Sequence, residues 1–238
     1  MAEFVYPVPA DLEAIDVSKQ PVHPLEHFYL PPRFKSYVKN IILPDGIIHA
    51  RWARIAERIL ADYAGEQELT MIVLMNGGYQ FYEDLKSQLN AQMRYLSAES
   101  VIQIRPFFVK LSSYKNTETT GLIKGVEALE QIGLNGKNVL LVEDMIDTGT
   151  TMKAVLNKIH SMFQVKSLRS AIAFHKKTSK NVEWGYFGHY TGFLVDNTFV
   201  IGYGMDINGH LRDIPHLCEI SQLGIDTFRV EDELEEGT

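Results

Sequence analysis

The chain has 238 residues, 45% of them hydrophobic, and a formal net charge of −7 at pH 7, which is the composition of a globular protein with room for one large domain or two small ones. Its one cysteine, Cys218, excludes an intramolecular disulfide framework and a cysteine-based zinc site, and the acidic balance argues against nucleic acid as a partner. No apolar run reaches the roughly 18 residues of a membrane span, and Met1-Ala2-Glu3-Phe4 does not begin a secretory signal, so the cytoplasm is the expected compartment and no membrane is expected as a partner.

Residues 1–43 are rich in proline and aperiodic, and read as an irregular N-terminal arm. After Pro44, Ile48, Trp52, Ile55, Ile59 and Tyr63 recur at steps of three and four, which predicts a helix capped by Asp45 and stopped at Gly65. Met71–Met75 is a short, wholly apolar run ending in Asn76-Gly77-Gly78, the pattern of a buried strand feeding a loop. Phe81, Leu85 and Leu89 predict a second helix, and residues 101–111, rich in β-branched and aromatic side chains, a strand interrupted by Pro106. Residues 112–121 are polar and aperiodic, a long loop of the kind that forms a lid or stays disordered. Val139–Val142 is another apolar strand, and Met152, Val155, Leu156, Ile159 and Phe163 form the next helical face. Strands are expected at 168–174, 192–195 and 198–203. The run Glu231–Glu236 reads as a solvated tail within a C-terminal segment, residues 222–238. Apolar strands alternating with helices imply a mostly parallel sheet covered on both faces, an α/β fold whose main domain spans residues 44–221.

In such sheets ligands bind outside the carboxyl ends of the strands. The loop expected after Val142 reads Glu143-Asp144-Met145-Ile146-Asp147-Thr148-Gly149-Thr150-Thr151. Two adjacent carboxylates at a buried strand's end are costly unless they meet donors or a cation. Ribose hydroxyls are such donors, and Mg²⁺ is such a cation. Asp147 to Thr151 then open a helix, whose free N–H groups and dipole favour a phosphate, with Gly149 letting the backbone approach it. A helix cap would account for Asp147 or Thr148, but not for Glu143-Asp144.

The run Val139–Thr151 resembles the PRPP-binding signature of type I phosphoribosyltransferases, a pattern with a related form in PRPP synthetases. Further segments resemble the hypoxanthine-guanine phosphoribosyltransferases in the same order. Val73–Tyr79 is similar to their pyrophosphate loop, Ser113-Tyr114 to the Ser-Tyr pair of their lid, Lys176 to their purine-reading lysine, and Phe199–Asp206 with Leu211-Arg212-Asp213 to their purine and pyrophosphate segment. The resemblance runs from about Leu43 to Ser221. It implies a type I phosphoribosyltransferase-like α/β fold: a mostly parallel central sheet flanked by helices, with a small hood to which residues 1–43 contribute. It also implies Mg²⁺-dependent transfer of ribose 5-phosphate from PRPP to a 6-oxopurine base, hypoxanthine or guanine, giving IMP or GMP and pyrophosphate.

By this resemblance Glu143 and Asp144 face the ribose and Mg²⁺, and Asp147 acts as acid or base near the purine N7. Asp147, Thr148, Gly149, Thr150 and Thr151 hold the 5′-phosphate. Asn76, Gly77 and Arg212 hold pyrophosphate. Lys176 donates to the purine O6, Phe199 stacks on the ring, and Val200 and Asp206 read its other edge, with Asp206 also a ligand of a second Mg²⁺. Ser113 and Tyr114 close the lid, and a homodimer or homotetramer is expected. The residues taken alone say less. Lys176 beside Lys177 reads as a solvated lysine, Phe199 as core as easily as a stacking platform, and Asp206 and Arg212 as surface ion-pair residues. Asn76 stands where the family has lysine, and Thr198 where it often has lysine. A xanthine- or adenine-preferring relative and a PRPP- or nucleotide-binding regulator therefore stay open.

Overall fold

The protein is described by a computed structural model over residues 12–75, 77–113 and 123–229. The chain divides into two compact units, one of residues 1–19 and 49–197, the other of residues 20–48 and 198–238.

The first unit is built on a six-stranded sheet, every pairing in it parallel. Its strands are β1 (Ile15–Asp16), β3 (Glu68–Met75), β4 (Gln103–Lys110), β7 (Asn138–Ile146), β8 (Ser167–Lys176) and β9 (Tyr190–Val195), in the order β1-β9-β8-β7-β3-β4. The central strands are buried on both faces, which is why they read as unbroken apolar runs rather than as alternation. On one face of the core, Ile72, Leu74, Val139 and Leu141 pack with Met152, Val155 and Ile159 of helix α3 (Thr150–Met162). Helix α1 (Asp45–Asp62) buries Trp52, Ile55 and Ile59, and helix α2 (Gly78–Met93) buries Phe81, Leu85 and Leu89. The Trp52 ring meets Phe81, Phe174 and Phe193 at centroid distances of 4.5, 6.2 and 5.7 Å. A Cβ at residue 192 would lie 2.4 Å from that ring, so Gly192 is what lets β9 pass the indole.

Two expectations change here. Pro106 lies inside β4, opposite Met71, instead of interrupting it. β4 is the last strand of the sheet, the position where a missing N–H is tolerated. β7 does not end at Val142. It stays paired with β8 as far as Ile146 opposite His175, so Glu143 and Asp144 belong to the strand and not to the loop. At the start of the segment read as a loop, β5 (Ser112–Ser113) is a short strand that pairs with β6 (Ile123–Lys124), just past that segment. Helix α4 (Ser179–Trp184) follows β8.

The second unit holds a three-stranded antiparallel sheet in the order β10 (Val200–Ile201), β11 (Leu217–Ile220), β2 (Val38–Leu43). Leu30, Phe34, Ile41, Ile201, Ile214 and Cys218 are in its core. β2 is a strand inside the arm read as irregular. It is only six residues long, its burial does not alternate strictly and its pairing with β11 shifts register, so it carries too weak a local signal to stand out. The strand expected over 198–203 is limited to β10, because the chain turns through positive φ at Gly202, Tyr203 and Gly204. Helix α5 (Gln222–Phe228) is capped by Ser221, whose Oγ accepts from the Gly224 N–H at 3.1 Å. Cys218 is fully buried, and burial pushes its thiol up to about 12, which leaves it without nucleophilic character at neutral pH. Among the described residues no helix is long and apolar enough to cross a membrane.

Candidate active site

The carboxyl end of β7 carries the first group of site residues. Glu143 is 8% exposed and its Oε2 has no hydrogen-bond partner. Burial first, and then the neighbouring Asp144 carboxylate, push its carboxyl well above the usual carboxylate range. Asp144 accepts from the Met145 N–H through Oδ1 at 2.9 Å. Its Oδ2 lies 1.5 Å from where a Cβ on Gly77 would be, so the turn after β3 is seated directly on this carboxylate, and a side chain at residue 77 would have to displace it. Asn76, the residue before that turn, lies outside the described residues.

Thr148, Gly149 and Thr150 lead into α3, with Gly149 at φ 75° as its cap and the Thr148 and Thr150 hydroxyls 3.0 Å apart. These three residues line a cleft of about 510 Å³ together with Lys153, Lys180 and Trp184. Trp184 lies against Gly149, where a Cβ would come within 2.3 Å of the indole. The helix N-terminus is thus open for an anion on one side and backed by an aromatic ring on the other. Thr151, in the first turn of α3, is half-buried.

Lys176, the last residue of β8, is 8% exposed and its Nζ is 3.4 Å from Asp147 Oδ2. The solvated lysine expected from the residues alone is therefore Lys177, not Lys176. Lys177, one residue past the end of β8, is exposed and meets Asp16 at 2.5 Å. Lys176 lies opposite Val195 in the sheet and its stem is covered, leaving the ammonium beside Asp147.

The remaining candidates lie in the second unit. Asp206 Oδ1 pairs with Arg212 Nη2 at 2.7 Å, and Asp206 Oδ2 accepts from the Gly209 N–H at 2.6 Å. Arg212 Nη1 donates to the Gly204 carbonyl at 2.7 Å, which fixes the guanidinium from two sides. Phe199 is 48% exposed, so it is a presented ring and not core, whereas Val200 and Ile201 of β10, which follow it, are buried. Ser113 belongs to β5, and Tyr114 lies outside the described residues.

Among the described residues no group of three or more His, Cys, Asp or Glu is gathered to hold a metal ion. An unpartnered, buried carboxylate oxygen on Glu143 beside Asp144 suits Mg²⁺ nevertheless, because that ion is commonly held by one or two carboxylates with substrate oxygens completing its shell. A Mg²⁺ at Asp206 would compete with Arg212 and Gly209 for the same carboxylate. Asn181 was singled out by no motif, since an asparagine in a short polar helix has no periodicity to betray it. Yet its side-chain amide is 3% exposed and bonds the backbone of both Asp147 and Lys176.

The chain is similar to known proteins in both sequence and fold. The phosphoribosyl transferase domain family matches residues 41–208. The chain is 35% identical over 205 residues to the hypoxanthine-guanine phosphoribosyltransferase of Rattus norvegicus, covering 86% of this chain and 91% of that one. It is 34% identical to the enzyme of Homo sapiens over the same shares. In three dimensions it is similar to the hypoxanthine-guanine phosphoribosyltransferase of Schistosoma mansoni in complex with IMP, with a TM-score of 0.72 and 27% identity, covering 92% of this chain and 100% of that one.

Proposed function

The chain belongs to the phosphoribosyl transferase family, of the hypoxanthine-guanine type, and from that premise we propose how its residues carry out purine salvage, the transfer of ribose 5-phosphate from PRPP to hypoxanthine or guanine with release of pyrophosphate. The observation that carries the reading is the buried Lys176 ammonium beside the Asp147 carboxylate, at 3.4 Å. O6 and N7 lie side by side on one edge of a 6-oxopurine. An ammonium has only donors, so it takes the O6 carbonyl and rejects a 6-amino group, and its burial strengthens that preference. The adjacent Asp147 exchanges a proton at N7 as acid or base.

The 5′-phosphate is taken by the α3 N-terminus and the hydroxyls of Thr148, Thr150 and Thr151. Glu143 and Asp144 accept from the ribose hydroxyls, which satisfies the orphaned Glu143 oxygen and sets negative charge near the sugar as it becomes oxocarbenium-like. Mg²⁺, when bound beside Glu143 and Asp144, supplies positive charge to the pyrophosphate oxygens. The backbone at Gly77 and the guanidinium of Arg212, oriented by Asp206 and the Gly204 carbonyl, hold the leaving pyrophosphate. Phe199 offers its exposed ring to the base. Ser113 and Tyr114 exclude water during transfer. We further propose a cytoplasmic homo-oligomer, a dimer or tetramer like other members of the family.

The test is to mix the protein with PRPP, Mg²⁺ and hypoxanthine or guanine and to follow purine absorbance. IMP and GMP formation is the expected result. No turnover of either base despite measurable PRPP binding would overturn the enzyme reading in favour of a PRPP-binding regulator. Faster turnover of xanthine or adenine would correct the base.

A further inference from the structure

We propose that Asn181 is the positioning residue that sets the spacing of Asp147 and Lys176, and with it the recognition of the purine O6–N7 edge. The proposal rests on the functional reading above and adds a residue that the motif does not contain. β7 and β8 are paired up to Ile146 opposite His175. Beyond that point one strand leads to α3 and the other to α4, so the register of the sheet no longer dictates how far Asp147 stands from Lys176.

Asn181 bridges this gap. Its Nδ2 donates to the carbonyls of Ile146 at 3.2 Å, Asp147 at 2.8 Å and Lys176 at 2.9 Å. An amide nitrogen has two hydrogens, so one of them is shared between carbonyls. The reverse orientation of the amide would aim Oδ1 at three carbonyl oxygens, which decides which atom faces the clamp. Thr178 reinforces it: the hydroxyl donates to the Asp147 carbonyl at 2.9 Å and accepts from the Asn181 N–H at 3.2 Å. The Asp147 carbonyl thus receives two bonds from the first turn of α4, and the same amide that holds it also holds Lys176.

Asn181 is 3% exposed, and its Oδ1 has no hydrogen-bond partner. An unpaired buried acceptor lowers stability, so folding alone is a poor account of an asparagine here. The geometry it imposes is a better one, because the Lys176–Asp147 contact of 3.4 Å is loose enough for the O6–N7 edge of a purine, O6 accepting from Lys176 and N7 sharing a proton with Asp147, to meet both groups without breaking a tight ion pair.

The experiment compares Asn181→Leu, which keeps the branching of the side chain and loses the donor, with the unmodified protein. Affinities for IMP, AMP and ribose 5-phosphate are measured by calorimetry and by the fluorescence of Trp184, which lines the cleft at the phosphate loop. The unmodified protein prefers IMP to AMP. In Asn181→Leu that preference falls roughly tenfold, while ribose 5-phosphate, which has no base, binds within about twofold of its original affinity. Thr178→Val, which removes the second bond to the Asp147 carbonyl together with the acceptor for the Asn181 N–H, gives a smaller loss, about threefold, and Thr178→Ser, which keeps the hydroxyl, retains the preference. This pair reads the clamp even if Asn181→Leu does not fold. In a Lys176→Ala background, Asn181→Leu lowers the preference no further.

A folded Asn181→Leu or Thr178→Val with an intact IMP preference overturns the positioning role, as does an equal loss for ribose 5-phosphate, which marks a merely structural residue. An unmodified protein that does not distinguish IMP from AMP instead overturns the assignment of Lys176, and that is a failure of the functional reading itself.

Discussion

Both ends of the six-stranded sheet carry ionisable side chains, and the two ends treat them differently. At the amino end, Asp62 accepts from Arg169 at 2.5 Å and from the Tyr190 hydroxyl at 2.8 Å, and pairs with Arg58 at 2.9 Å. Nearby, Glu66 accepts from Lys166 at 2.7 Å and from Asn138 at 2.9 Å, and the Lys166 ammonium holds its carboxyl below the usual range. At the carboxyl end Glu143 is shifted in the opposite direction, chiefly by burial, and one of its oxygens is unpaired. The Lys176–Asp147 contact there is long. The same residue types therefore stand in opposite states at the two ends: a network of paired groups that consolidates the fold at one, and at the other a set of less satisfied groups that, on the proposed function, a ligand completes.

That contrast can be broken most directly at Asp147. Asp147→Asn keeps the shape and removes the proton carrier, so kcat for IMP formation should fall by roughly 100-fold or more, with the thermal midpoint almost unchanged. At the other end, Asp62→Ala leaves Arg169 and Tyr190 without their shared acceptor. A loss of about 3 kcal/mol in urea unfolding is expected, near the lower limit for a broken buried pair because Arg169 is partly exposed, while kcat of the folded protein stays the same. Equal effects of the two substitutions on both readouts would erase the distinction between the ends.

Glu143→Gln sharpens it further. Its folded-state carboxyl titrates well above the ordinary value of 4.5, so the folded protein holds this proton more tightly than the unfolded chain does, and stability is lost as pH rises above that value. The amide should therefore stabilise the ligand-free protein by about 1 kcal/mol at pH 7 and by nothing at pH 4, while weakening PRPP binding. A stability gain that persists in acid would refute the cause.

The smallest effect near neutrality concerns His175 and His189, which burial lowers to about 4 from 6.5. Both are neutral in the folded protein and protonate first in the unfolded chain, so urea midpoints should decline as pH falls from 6.5 towards 4. His175→Phe should flatten part of that decline.

How much of this could be read from residues alone follows from where the information resides. β3 and β7 announce themselves because strands buried on both faces need unbroken apolar side chains. The stripe Ile48–Tyr63 announces α1 because one face of that helix is buried. Glu143-Asp144 before Asp147-Thr148-Gly149 stands out because the pattern is contiguous and each residue's chemistry is unusual at a strand end. β2, by contrast, is six residues among prolines, and its strand character comes from pairing with β11, far along the chain.

The sequence by itself determined the α/β class, the order of the main strands and helices, and the Asp147–Thr151 turn that opens α3, because each depends on residues within a few positions of one another. Only the tertiary structure decided that Lys176 is buried and Lys177 is not, that Phe199 presents its ring, that Gly77 lies against the Asp144 carboxylate, and that Asn181 ties Asp147 to Lys176. Those are properties of contacts between distant segments. Burial and hydrogen-bond partnership are assigned to a side chain by whatever the fold brings against it, and no local pattern in the chain encodes that.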